Sequence, residues 1–157
     1  MRKNTEPSLI QPIEGLDLAV VQFVSNNRYR VGKLGDSAAT IGKTVYVAGA
    51  PPSSQVIDER TLGVTEGKII GRASEDRGRK GYTFIYDNTT RKGMSGGPVL
   101  NEVGEIIGIH GRGDQEDGSK ENYGIPIEKF QEARGSSFEN GQSLLERTDV
   151  NESGKVE

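Results

Sequence analysis

Lys92-Gly93-Met94-Ser95-Gly96-Gly97-Pro98-Val99-Leu100 sets one serine among three glycines and runs at once into an apolar strand start. A residue without a Cβ at position 93 can turn its N–H toward an oxygen that is gaining negative charge, alongside the N–H of Ser95. Gly96 and Gly97 let a second backbone approach closely, and Pro98 fixes φ on the way into Val99-Leu100. The stretch reads as a nucleophile loop, with Ser95 as the attacking group and the Gly93 and Ser95 amides as its oxyanion hole. The same residues also suit a plain glycine-rich turn between strands that holds an ordinary serine. A strand-to-helix nucleophile elbow is excluded, because no helical pattern follows Ser95.

The rest of the chain favours strands. At 157 residues and 32% apolar content it is long enough for one core, so one domain with tails is expected. Twenty-two glycines among short β-branched runs point to an all-β architecture of strands and tight turns. A formal charge of −3 makes no electrostatic case for nucleic acid or an anionic membrane, and no apolar run approaches the roughly 18 residues a spanning helix needs. Met1 to Pro7 holds basic residues with no apolar run behind them, so no signal peptide is expected; the compartment stays open, cytoplasmic by default. With no cysteine, one histidine and scattered carboxylates, neither a metal nor a cofactor is expected.

Taken in order, residues 1–12 are polar and proline-punctuated and are expected to form a flexible leader. Asp17 stands at the mouth of Leu16 to Val24, whose nearly continuous apolar character predicts a strand covered on both faces. A carboxylate there needs a partner, although a turn aspartate satisfied by local N–H groups is the commoner use. Strands are predicted around Gly42–Gly49, Thr65–Arg72, Tyr82–Asp87, Val99–Leu100, Glu105–His110 and Asn122–Ile127, with a tight turn at Asn101-Glu102-Val103-Gly104. Glu75 to Gly81 carries both signs and reads as a solvated loop, not a binding patch. From Gly135 onward a polar, disordered tail is expected, with at most a helical turn at 143–147.

The run Gly-x-Ser-Gly-Gly-Pro followed by Val-Leu, at 93–100, resembles the trypsin-like (chymotrypsin-fold) serine proteases of bacterial type. Asp17-Leu18-Ala19-Val20 is similar to the segment that carries the triad aspartate there, and it precedes the serine as in that family. The resemblance covers about residues 13–134. It implies an antiparallel six-stranded Greek-key β-barrel, the second of the family's two, with a remnant of the first barrel around Asp17 and a short C-terminal helix at Glu128–Arg134 in which Phe130 faces inward. By that resemblance Ser95 is the nucleophile, Asp17 the orienting acid, and Gly93 and Ser95 the oxyanion hole.

The general-base histidine has no match, since the sixteen residues before Asp17 hold none. His110, fifteen residues after Ser95, is not placed to be the base; it suits either a satisfied core histidine or a pocket residue. Glutamyl endopeptidases, a subgroup of the family, carry a histidine in this Gly-Ile-His-Gly setting and a threonine five residues before the serine, here Thr90. The resemblance therefore implies a substrate pocket of Thr90, His110, Gly111, Arg112 and Gly113 that accepts an acidic side chain, with Arg91 adding field. The chain is expected to be the C-terminal part of a serine endopeptidase, inactive alone, with a peptide or protein substrate and a separate N-terminal half as its partners. The alternative is a non-catalytic, peptide-binding remnant of such a protease.

Overall fold

Val45 and Val47 are fully buried while Tyr46 between them is not, the two-residue period of a strand with one covered face. Phe84 and Tyr86 repeat it about Ile85, and Ile69, Met94, Val99 and Ile107 complete a single apolar core. The computed structural model describes residues 7–38, 41–52, 61–74, 79–114 and 121–138. Its elements are β1 (Pro7–Pro12), β2 (Ala19–Phe23), β3 (Thr44–Gly49), β4 (Gly63–Arg72), β5 (Phe84–Tyr86), β6 (Pro98–Leu100), β7 (Ile106–Asp114), β8 (Glu121–Pro126) and the helix α1 (Ile127–Phe138).

In space the order β3-β4-β5-β8-β7-β6 closes on itself, every neighbouring pair antiparallel. β3, β4 and β5 follow one another, and β6 returns to lie beside β3, which is the Greek-key connection. Closure removes the sheet edges that would otherwise invite association. The six-stranded Greek-key barrel implied by the sequence is thus the one observed, together with a separate two-stranded sheet of β1 and β2.

Barrel closure rests on a close backbone approach. A Cβ on residue 97 would lie 1.9 Å from the carbonyl oxygen of Ala48 and 2.9 Å from that of Met94, so only glycine lets β6 meet β3 here. At the opposite end of β6, Asn101 turns the chain back: its carbonyl accepts from Gly104 N–H at 3.0 Å, and its side-chain oxygen accepts from Val103 and Glu105 N–H. The predicted hairpin turn at 101–104 is therefore present.

Three expectations need correction. Residues 7–12 are a strand, not a frayed leader, because β1 finds a partner in β2 from Pro7↔Phe23 to Pro12↔Ala19. The strand after Asp17 is not covered on both faces: Val21 is 54% exposed and Phe23 45% exposed, since a two-stranded ribbon has no third layer over it. The C-terminal helix runs to Phe138, beyond Arg134, and the predicted turn at 143–147 lies outside the described residues.

Gly97→Ala should lower stability by about 2 kcal/mol or more, since the intruding methyl meets two backbone carbonyls that cannot rotate away. Val103→Ala, on the exposed hairpin, should change it by less than about 0.5 kcal/mol. Urea midpoints of the two variants test the contrast.

Candidate active site

The serine loop is two consecutive tight turns. Met94 N–H donates to Arg91 O at 3.1 Å and Gly97 N–H to Met94 O at 3.0 Å, with Gly93 and Gly96 at φ values of 90° and 86° in the third positions. That position of a type II turn takes glycine because a Cβ is disfavoured at positive φ. Ser95 sits exposed within the second turn, and Met94 beside it is buried as the loop's apolar anchor. Gly96 N–H donates to His110 O at 2.7 Å and His110 N–H to Gly97 O at 2.8 Å, which latches the loop onto β7. The Ser95 hydroxyl donates to Gly111 O at 2.9 Å. Among the described residues no acceptor meets the N–H of Gly93 or of Ser95.

Asp17 lies in the turn between β1 and β2, pinned by its own N–H to Lys80 O at 3.0 Å. Its Oδ2 accepts from the buried Tyr82 hydroxyl at 2.7 Å. Burial first, then the hydrogen bond to Asp17 and its charge, push the Tyr82 phenol up to about 12. A Cβ at position 111 would fall 2.2 Å from the Tyr82 oxygen, so this phenol stands between Asp17 and the Gly111 segment that receives the Ser95 proton. Asp17 and Ser95 line one cavity of about 520 Å³, walled by apolar side chains including Leu18, Leu34, Ile106, Ile109 and Phe130.

On the other side of Ser95 opens a larger cleft of about 1470 Å³, and Thr90, His110, Gly111, Arg112 and Gly113 all line it. The structure therefore brings the five pocket residues together. His110 is 2% exposed and its Nδ1 is 2.6 Å from the Tyr86 hydroxyl. Burial holds its imidazole below the ordinary histidine value and raises the Tyr86 phenol far above its own, and the two share one hydrogen bond. Where the phenol is its donor, the ring's proton stands on Nε2. Thr90 donates its one hydroxyl proton to Asn122 Oδ1, and Asn122 is fixed in turn by donating to Asn88 O at 2.5 Å and Tyr86 O at 3.3 Å. Met94, buried in the core, holds no acid at the position before the serine.

Sequence reasoning missed Tyr82, Arg72 and Arg79. Tyr82 reads as one more aromatic strand residue, and nothing in its spacing reveals that it reaches back 65 positions to Asp17. Arg79 belongs to a segment dismissed because its charges cancel, yet Arg79 lines the cleft. Only the fold decides which member of a mixed-charge run faces a site.

A family model described as the trypsin-like peptidase domain matches residues 2–109. The glutamyl endopeptidase of Staphylococcus aureus strain MW2 is 33% identical over 102 residues, 60% of this chain and 28% of that relative. The chain thus spans less than a third of the length of the curated relatives it matches. Among solved structures, the HtrA-type protease AlgW with decapeptide is similar at a TM-score of 0.61 and 25% identity, over 79% of this chain and 38% of that one. Deg5 is similar at 0.65 and 22% identity, over 82% and 58%.

Two titrations follow. His110 stays neutral when folded but takes a proton near pH 6.5 when unfolded, so its contribution to stability is present above that value and declines as pH falls below it. His110→Gln should therefore flatten the dependence of unfolding free energy on pH between 7 and 5, by at most about 1.4 kcal/mol per pH unit. Asp17→Asn should lower the Tyr82 ionisation from about 12 without returning it to 10, because burial remains; ultraviolet titration of the phenols reads this.

Proposed function

This chain belongs to the trypsin-like peptidase domain family, and from that membership we propose that it carries the nucleophile and specificity pocket of a serine endopeptidase cutting after acidic residues. One observation carries the reading: Asp17 and Ser95, seventy-eight positions apart, line the same cavity of about 520 Å³. In the chemistry such a pair serves, an imidazole between them takes the Ser95 proton as Oγ attacks the substrate carbonyl, and Asp17 holds that imidazole in its working tautomer. The tetrahedral oxyanion is received by the Gly93 and Ser95 amides, which have no other described acceptor. Collapse expels the amine with the imidazole's proton and leaves the acyl group on Ser95, and water then releases it by the same route.

His110 is not that imidazole. Its Nδ1 is held by Tyr86 and its backbone is latched to the serine loop, so the ring belongs to the pocket wall. No other histidine occurs in the 157 residues, and the base is proposed to come from polypeptide outside them, seated on the apolar wall of the cavity. Without it the serine is a weak nucleophile; removing the histidine from a comparable triad costs about 10⁶ in kcat. The Ser95 hydroxyl's bond to Gly111 O is its resting arrangement.

The pocket supports the acidic preference. With Tyr86 donating to Nδ1, His110 offers its Nε2 proton to a carboxylate, the Thr90 hydroxyl can join it by turning from Asn122, and Arg91, Lys92 and Arg112 supply charge. β7 pairs with β8 from Gly108 to Asp114 but with β6 only as far as Ile109, so at Arg112 and Gly113 it has a described edge open to an extended peptide, while Gly111 O accepts from Ser95. The engaged Ser95 hydroxyl also favours a second reading, a module that binds peptides there without cutting them.

Free imidazole separates the two. It should enter the cavity and speed fluorophosphonate labelling of Ser95 by about tenfold or more, since a placed general base contributes about 10²–10⁴. Asp17→Ala should remove most of that gain, and Ser95→Ala all labelling. Labelling that imidazole leaves unchanged would eliminate the catalytic reading and leave the binding module.

A further inference from the structure

Resting on the reading that an acidic side chain enters the Thr90 and His110 pocket, we propose that the cleft recognises a run of acids, so that its preferred peptides are acidic tracts. Pockets of about 300–1000 Å³ hold whole drug-sized molecules, and a cleft of about 1470 Å³ is far larger than one glutamate requires. Five cations line it, Arg72, Arg79, Arg91, Lys92 and Arg112, with no carboxylate among the described lining residues. In a chain of net charge −3 that concentration is not a by-product of composition. The cations also come from four separate places: β4, the kinked turn at Arg79–Gly81, the serine loop and β7.

Register places one of them in a cross-barrel row: Gly71 pairs with Ile85, Ile85 with Tyr123, and Tyr123 with Arg112, across β4, β5, β8 and β7. Arg72 pairs with Phe84 in the adjoining row, Arg79, Arg91 and Lys92 stand outside the paired strands, and all five line the one cleft. Arg72 is already engaged, by Glu128 at 3.7 Å, by Ser37 O and by the Phe84 ring. Arg79 and Arg112 meet no described carboxylate, and Arg112 rests its guanidinium 5.1 Å from the Tyr82 ring centroid. Arg79, outside the Thr90 and His110 pocket, is the specificity residue for acids beyond the first, and Arg112 serves both. The β7 edge at Arg112 and Gly113, paired by no described strand on the side away from β8, offers main-chain pairing to an extended chain and favours a peptide; Tyr82 and Tyr123 also line the cleft, so a single-stranded oligonucleotide is the competitor to test.

Fluorescent peptides binding to the full chain test this. An alanine-rich peptide with a run of glutamates should bind about tenfold tighter than one with a single glutamate, which is about 1.4 kcal/mol and within reach of two exposed charge pairs. With Arg79→Ala the gain should fall to about threefold, while single-glutamate affinity changes little; Arg79→Lys should keep it, and Arg112→Ala, within the pocket, should weaken both peptides. Equal affinity for the two peptides overturns the tract. So does a gain that survives Arg79→Ala, which would reflect only the extra registers a glutamate run offers. Tighter binding of a thymidine oligonucleotide that depends on the same arginines overturns the peptide as occupant. Single-glutamate binding that is absent, or indifferent to Thr90→Val, fails the pocket reading itself, so the two failures are separable.

Discussion

The carbonyl of Ala48 lies where a side chain on residue 97 would begin, and the rest of the site follows from that approach. Because residue 97 is glycine, β6 reaches β3 through Val47↔Val99 and Tyr46↔Leu100, and a strand of only three residues suffices to shut the barrel. The turn just before it is then committed: its glycines take positive φ, Ser95 is left exposed, and Met94 is driven inward to fill the core. The paired bonds between Gly96, Gly97 and His110 carry the constraint to β7. Barrel closure and serine placement are one structural event, which is why so short a sequence signal implies so much of the fold.

A second constraint joins the outlying sheet to this barrel. Asp17 is exposed and sits on a ribbon with little cover, yet it is not free to wander, because Lys80 O holds its backbone and Tyr82 one of its carboxylate oxygens. Tyr82 can reach it only because residue 111 has no side chain. The glycine whose carbonyl accepts from Ser95 is thus also the one that lets the phenol through to the aspartate. Oδ1 is left for another donor, in a cavity with apolar walls where a hydrogen bond to a charged group is stronger than in water.

How much of this the sequence revealed depends on the range of the interaction involved. Turn chemistry is local, so the serine loop and the Asn101 to Gly104 hairpin were legible from glycine and asparagine alone. Strand periodicity is nearly local, and it placed β3, β4, β7 and β8 to within a few residues. Cover is not local at all: the apolar run after Asp17 reads as a buried strand, but what lies against it is decided elsewhere, and Val21 and Phe23 remain half in solvent. The same holds within the pocket. Thr90 was placed by resemblance to the glutamyl endopeptidases, but its proton is committed to Asn122, thirty-two positions later, a partner no pattern announces. Arg79 shows the converse, a residue discounted for its neighbours' charges that the fold nevertheless sets on the cleft.

The proposed reading of acids poses a physical conflict, and the positions of the charges resolve it. A cation buried beside the pocket would lose its hydration whenever the pocket stood empty, a cost that mutual attraction seldom recovers. His110, sealed into the wall, has its protonation disfavoured by burial and offers a hydrogen bond instead of a charge. The charges sit at the rim, where Arg79, Arg91, Lys92 and Arg112 are exposed and stay hydrated. From there they act over the roughly 8 Å that physiological salt allows, enough to gather an acidic peptide without weakening the core. The barrel is held by eight apolar or aromatic side chains that carry no net charge. What stabilises the fold and what selects the ligand are therefore separate groups, and the rim can change its preference without the barrel having to repack.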